Sequence, residues 1–177
     1  MERLWAPWRL AFIEGKEGPS VPADKTGCIF CDYPRPFTSA PPSEEEREHQ
    51  RACLVVHGRQ HAFVILNKYP YNNGHIMVVP RAHVGSLDAL PPDAFLELHV
   101  LLKDAANALK QAYKPDGINI GMNLGRAAGA GIADHMHYHL VPRWVGDANF
   151  MPILGDTKVL SESLWDTYDR LQKVLGP

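Results

Sequence analysis

Cysteine is scarce. The 177 residues contain three, Cys28, Cys31 and Cys53, an odd and low number that speaks against a disulfide framework. Long apolar runs are lacking as well, and none approaches the ~18 residues that span a bilayer. In "MERLWAPWRLAFIEG" the apolar residues are interrupted by Glu2, Arg3, Pro7 and Arg9, so no signal-peptide core forms. Charge of one sign is missing too. A formal net charge of -2 argues against broad binding to nucleic acid or anionic membrane, yet leaves room for a small phosphate-bearing ligand that needs only local positive potential. Internal repeats and low-complexity tracts are absent. The expectation is a cytoplasmic protein with neither a nucleic acid nor a membrane as partner. Hydrophobic residues at 45% and charged residues at 21% are ordinary for a globular chain, and the length favours a single domain over residues 1–177.

Apolar periodicity divides that chain. Residues 1–27 read as an irregular N-terminal extension in which Trp5 and Trp8 flank Pro7 and cover a core edge or a subunit contact. Ser43 before Glu44, Glu45 and Glu46 predicts a short helix, capped by a hydroxyl and started by acids. "ACLVVH" (52–57), "HAFVILN" (61–67) and "HIMVVP" (75–80) read as three strands with short connections, an antiparallel meander that places Cys53 in a strand core. Residues 90–113 carry the clearest helix, with Phe95, Leu98, Leu102, Ala105, Ala106 and Leu109 near a helical period, Pro92 in the first turn and His99 as a half-exposed side chain. "INIGMN" (118–123) and "HMHYHLVPR" (135–143) are a fourth and a fifth strand. Residues 161–175 form a C-terminal helix within an extension over 145–177. The core is 28–144 and the fold class is α+β.

The fifth strand holds the chemistry. His135, His137 and His139 alternate with Met136, Tyr138 and Leu140, and alternate side chains of a strand share a face. The large apolar set belongs to the core, so the imidazoles line a pocket or a polar surface. One reading binds a catalytic zinc with all three. It is strained, because the first and third lie roughly 13 Å apart at about 3.3 Å per residue. The other makes His137 a nucleophile towards phosphorus, with one ring nitrogen unprotonated and the other holding its proton against a carbonyl. His139 then hydrogen-bonds a phosphate or bridging oxygen.

The segment before this strand supports a phosphate site. "IGMNLGRAAGAGIADH" (120–135) joins the last two strands, and Gly121, Gly125, Gly129 and Gly131 let backbone approach a ligand. Asn123 adds a donor and Arg126 a charge, and such donors stabilise charge developing on phosphoryl oxygens. "CIFC" has a spacing that suits tetrahedral zinc when two further ligands exist, and the alternative is a pair of reduced core cysteines. His75, in "NNGH", reads as structural or as a support for the site.

"HMHYHLVPR" resembles the motif of the histidine-triad (HIT) superfamily, in which three histidines alternate with apolar residues. "YNNGHIMVVPRAH", "GMNLG" and "CIFC" extend the resemblance over most of residues 28–144. "ERLWAPWR", "YPYNNGH", "KPDGINIGMNLGRAAGAGIADH" and "VPRWVGDANFMP" resemble the branch of bacterial diadenosine tetraphosphate phosphorylases. The resemblance implies a HIT fold with an antiparallel sheet of about five strands, a homodimer, and a nucleotidyl-histidine intermediate. It implies transfer of a nucleotidyl group from a dinucleoside polyphosphate to inorganic phosphate, giving ATP and ADP from diadenosine tetraphosphate. It makes His137 the nucleophile and His135 and His139 its flanking partners. Asn123 and Gly125 fall at the phosphate, Asn67 where relatives carry an acid for the ribose hydroxyls, and Ile29 and Phe30 in the base pocket. In zinc-bearing relatives the metal ligands match Cys28, Cys31, His83 and His135, and such a zinc is structural. Magnesium is expected only with the polyphosphate.

One departure bears on the acceptor. Many hydrolytic relatives carry a Gln-Ser pair shortly before the first histidine, where this chain has Gly131 and Ile132. That favours an acceptor other than water, and Arg126 or Lys68 supplies charge for phosphate. The rival readings are a HIT hydrolase of dinucleoside polyphosphates or nucleoside phosphoramidates, and a nucleotide-binding protein without efficient turnover.

Overall fold

The computed structural model describes residues 26–147 and 160–176; the readings placed on Trp5, Trp8 and residues 148–159 lie outside them. Five strands form one antiparallel sheet: β1 (Val55–Gly58), β2 (Ala62–Leu66), β3 (Ile76–Pro80), β4 (Gly117–Met122) and β5 (Tyr138–Arg143), in the spatial order β1-β2-β3-β5-β4. The helices are α1 (Ile29–Asp32), α2 (Glu44–Ala52), α3 (Pro92–Tyr113) and α4 (Leu164–Leu175). The architecture is α+β, as the order of apolar runs predicts.

β2 and β3 are apolar at every position because both of their faces are covered. Val64, Leu66, Ile76 and Val78 face one cluster, which α3 completes with Leu98, Leu101, Ala105 and Leu109 and α4 with Tyr168 and Leu171. Phe63, Ile65, Met77 and Val79 face a second cluster with Cys28, Phe30 and Cys53. Each buried leucine or isoleucine contributes roughly 1.5–3 kcal/mol by leaving water. β5 packs one face on the first cluster through Tyr138 and Leu140, while the second cluster includes no β5 residue.

Two local readings shift. The helix started by Ser43 is a full capping box, in which Ser43 Oγ accepts from the Glu46 N–H and Glu46 returns a bond to the Ser43 N–H. That strong start carries the helix to Ala52, so Cys53 is its C-cap and not part of a strand. Leu54 takes a left-handed φ of 61° to turn the chain into β1. On α3, Phe95 falls outside the buried stripe; it is 41% exposed and packs its ring on His99 at 4.1 Å. Tyr113, at the end of α3, donates to Glu162 Oε2, and Arg170 Nε donates to Glu162 Oε1, which ties the C-terminal helix to the long one.

Candidate active site

β5 begins at Tyr138, so His135 and His137 precede the ladder. The cause lies in the neighbours. Pairing ends at Met122↔Tyr138 on one side and at Val78↔Tyr138 on the other. Beyond that point the chain stays attached by other means: the Met136 N–H donates to the Val84 carbonyl at 2.7 Å, and His135 Nε2–H donates to the Pro80 carbonyl at 2.8 Å. The alternation survives. Met136, Tyr138 and Leu140 pack in the α3 cluster, while the His135 and His137 rings lie against Phe30 with centroids 5.3 and 4.9 Å away.

Hydrogen bonds fix each imidazole. His137 Nδ1 lies 2.9 Å from the His135 carbonyl. A carbonyl only accepts, so Nδ1 carries the proton and Nε2 keeps its lone pair. Burial lowers the pKa of His137, and the backbone bond opposes that shift without reversing its direction. The ring is a neutral base with a defined reactive nitrogen. His139 is ordered by a longer chain. The Tyr71 N–H donates to His75 Nδ1 at 3.0 Å, so the proton of a neutral His75 sits on Nε2, and that nitrogen donates to His139 Nδ1 at 3.0 Å. The proton of His139 therefore sits on Nε2. Its pKa is lowered, first by burial and then by His137. His75 is 1% exposed, and its direct bond to His139 is the contact that sequence reasoning missed. The signal available was the turn "NNG" before it. Gly74 has φ +74°, and a Cβ there would meet Tyr113 at 3.0 Å and Pro142 at 3.2 Å, so only glycine closes this loop.

The remaining site residues gather unevenly. Asn67 is half-buried beside His75, with its Oδ1 accepting from the Tyr69 N–H. Phe30, 1% exposed, lies beneath the histidines, whereas Ile29 is half-buried. In the glycine loop, Asn123 Nδ2 reaches the Gly129 carbonyl at 3.5 Å, and Gly125 takes φ +79° with open space where a Cβ would stand. The N–H groups of Ala128, Gly129 and Ala130 bond to the Gly125 and Arg126 carbonyls. Arg126 and Lys68 are exposed, and Ile132 packs partly against the Phe30 cluster.

Four donors meet on the opposite side of His135. Cys28 Sγ is 3.4 Å and Cys31 Sγ 3.6 Å from His135 Nδ1, Cys31 Sγ is 3.2 Å from His83 Nδ1, and all four donor atoms lie within 4.8 Å of one another. A tetrahedral zinc with ordinary Zn–S and Zn–N lengths spaces its ligands by about 3.4–3.8 Å, so the set fits. His135 donates its Nε2–H to the Pro80 carbonyl, which turns the bare Nδ1 to the sulfurs, as a metal ligand requires. Without a cation, burial and then Cys28 push the Cys31 thiol up to about 11; a divalent ion reverses that preference. The triad itself does not converge on one point, since His135 faces the cysteines while His137 faces a carbonyl.

A protein-family model described as the HIT domain matches residues 48–145. The chain belongs to the HIT family. Its triad is His135, His137 and His139. An AP-4-A phosphorylase of Mycobacterium tuberculosis is 37% identical over 167 residues, covering 94% of this chain and 80% of that protein. Among solved structures, a Zn-bound histidine triad family protein from Mycobacterium smegmatis has a TM-score of 0.57 and 25% identity, covering 69% of this HIT chain and 83% of its own. A hypothetical histidine triad nucleotide-binding protein from Sulfolobus tokodaii has a TM-score of 0.55 and 33% identity, covering 69% and 80%. No helix among the described residues is long and apolar enough to cross a membrane.

Proposed function

We propose that this HIT enzyme cleaves diadenosine tetraphosphate with inorganic phosphate, giving ATP and ADP. His137 Nε2 attacks the α-phosphorus, the N–P bond forms, and the bond to the bridging oxygen breaks with its electron pair leaving on ATP. A phosphate oxygen then attacks the adenylyl phosphorus, the N–P bond breaks, ADP departs and the lone pair returns to Nε2. The observation that carries this reading is the bond from His137 Nδ1 to the His135 carbonyl, which leaves Nε2 free. His139 Nε2–H stands next to it as a donor for phosphate or bridging oxygens, with ring centroids 4.9 Å apart. Asn123, Gly125 and Arg126 are assigned to phosphate oxygens, Asn67 to the ribose, and Ile29 with Phe30 to the base. The named relative, covered over 80% of its length, supports the phosphorylase reading over the hydrolase. So does Ile132, an apolar side chain where hydrolytic relatives carry a polar one. Magnesium enters only as the counter-ion of the polyphosphate, and no residue is assigned to it. The free cysteines suit a reducing cytoplasm. The whole chain, with its two extensions around the core, is assigned to a single HIT domain.

Product analysis decides the acceptor. Diadenosine tetraphosphate incubated with phosphate is expected to give ATP and ADP in equal amounts, and nothing when phosphate is withheld. AMP plus ATP, or ADP alone, formed without phosphate would make the protein a hydrolase.

The reading includes a homodimer. β4 is the last strand of the sheet, and Ile120 (48% exposed) and Leu124 (44%) stand on or beside it, while α3 exposes Leu96 (66%). An open edge with apolar neighbours favours pairing with a second copy. Light scattering is expected to give about twice the 19.7 kDa chain mass, and Ile120→Glu to return it to one. A monomeric unmodified chain at micromolar concentration would remove the dimer from the proposal.

A further inference from the structure

The imidazoles belong to a longer aromatic row. Phe30 lies 4.9 Å from His137, His137 4.9 Å from His139, His139 5.1 Å from His75, and His75 4.8 Å from Tyr71. The two ends differ. Phe30 is buried under the triad, whereas Tyr71 is 58% exposed and Tyr69, two residues earlier, is 78% exposed. Isolated exposed aromatics are unremarkable on a protein surface. These two share one short loop, and that loop is braced by Asn67, Asn72, Asn73 and His75. Asn67 Oδ1 accepts from the Tyr69 N–H, the Tyr71 N–H is bonded to His75, Asn72 Nδ2 donates to the Pro142 carbonyl and to Asp147, and Asn73 Nδ2 donates to Ser161 Oγ. A ring with few rotatable bonds on a backbone held this way binds another ring at little entropic cost.

We infer that Tyr71, with Tyr69 beside it, is a stacking platform for the purine of the departing nucleotide. The inference rests on the proposed nucleotidyl transfer at His137 and extends it to the second half of the substrate. A symmetrical dinucleotide attacked at one α-phosphorus has a base on each side of the reacting centre. Ile29 and Phe30 lie at one end of the row, and the other end is Tyr71, next to the imidazole pair whose proton faces the leaving oxygen. A tyrosine face accepts any base, so the platform selects for a second nucleoside and not for its identity. Lys68, exposed at the start of the loop, is placed to meet the polyphosphate between them.

The test compares diadenosine tetraphosphate with adenosine 5′-tetraphosphate, which keeps the adenylyl group and polyphosphate but lacks the second nucleoside. Tyr71→Ala is expected to lower kcat/KM for the dinucleotide about ten-fold, the order contributed by one base-on-ring contact, and to lower that for the mononucleotide by less than about two-fold. Tyr71→Phe and Tyr71→Trp should keep the wild-type ratio. Equal losses on both substrates would assign Tyr71 to the loop or to the transferred nucleoside, and overturn the platform. Calorimetry on the unmodified protein separates this inference from its parent. Tighter binding of the dinucleotide without turnover of either ligand leaves the platform standing and ends the transfer reading. Equal affinity for the two ligands ends the platform, whatever their fate.

Discussion

Replacing His137 by alanine is expected to lower turnover by on the order of 10^5-fold, the scale on which covalent enzymes lose activity when their nucleophile is deleted. The expectation follows from the division of labour in the site. Of the three triad imidazoles, only His137 combines a protonated nitrogen held by a backbone carbonyl with a bare nitrogen beside a donor, His139. His135 uses both nitrogens elsewhere, one on Pro80 and the other among the cysteines. His139 accepts a hydrogen bond from His75 at Nδ1 and keeps its own proton on Nε2, so it lacks a free lone pair in this arrangement. Neither neighbour can take over. The fold should survive, because the lost ring leaves one backbone carbonyl without its partner, a cost of about 1–3 kcal/mol, and a gap beside Phe30. The check is paired. An α-labelled dinucleotide should leave an acid-labile label on wild-type His137 and none on the variant, while the far-ultraviolet spectrum stays the same. More than about 1% residual activity in the variant, or a label recovered on His139, would show that the reaction runs through another group.

The triad was legible because its signal is local. A period of two needs nothing but consecutive residues, and the core side of β5 is written in Met136, Tyr138 and Leu140. β2, β3 and α3 were legible for the same reason, and strong turn formers separate them. What was illegible depends on contacts between distant segments. Nothing near Cys28 predicts that residues 29–32 form a helical turn; that turn brings two thiols to His83 and His135, residues more than fifty positions away, a set of four that the family resemblance named and residue spacing did not. Phe95 fits the apolar period of α3 yet stays exposed, since periodicity marks a face and not the width of what covers it. The start of β5 was placed three residues too early because strand length is set by partners, and its partners end at Val78 and Met122. His75 read as structural or as a support for the site, and its bond to His139 could not be named because hydrogen bonding between side chains leaves no trace in spacing.

Removal of metal is expected to destabilise the protein before it stops the chemistry. Purified wild-type chain should carry one zinc, and Cys31→Ser or His83→Ala should carry almost none by elemental analysis. The size of the effect follows from mass action. A ligand present at a thousand times its dissociation constant stabilises the folded state by about 4 kcal/mol. For a chain of this length each kcal/mol moves the melting temperature by roughly 2–4 °C, so stripping the metal should lower it by about 8–16 °C. Cys28 and Cys31 sit on the turn that carries Phe30, and His135 leads into β5, so an ion held there would link the segment under the triad to the triad itself. Activity should follow that linkage. His135 would offer Nδ1 to a metal while it donates Nε2–H to the Pro80 carbonyl and accepts from His137 at its own carbonyl, so a loosened His135 would slacken the hydrogen bond that orients His137. Below the new melting point the stripped enzyme should retain measurable turnover, reduced by about ten-fold to a hundred-fold, the scale on which losing a supporting contact acts. Complete loss of turnover at an unchanged melting temperature would instead put the metal in the reaction and return the third-ligand reading of the triad to contention.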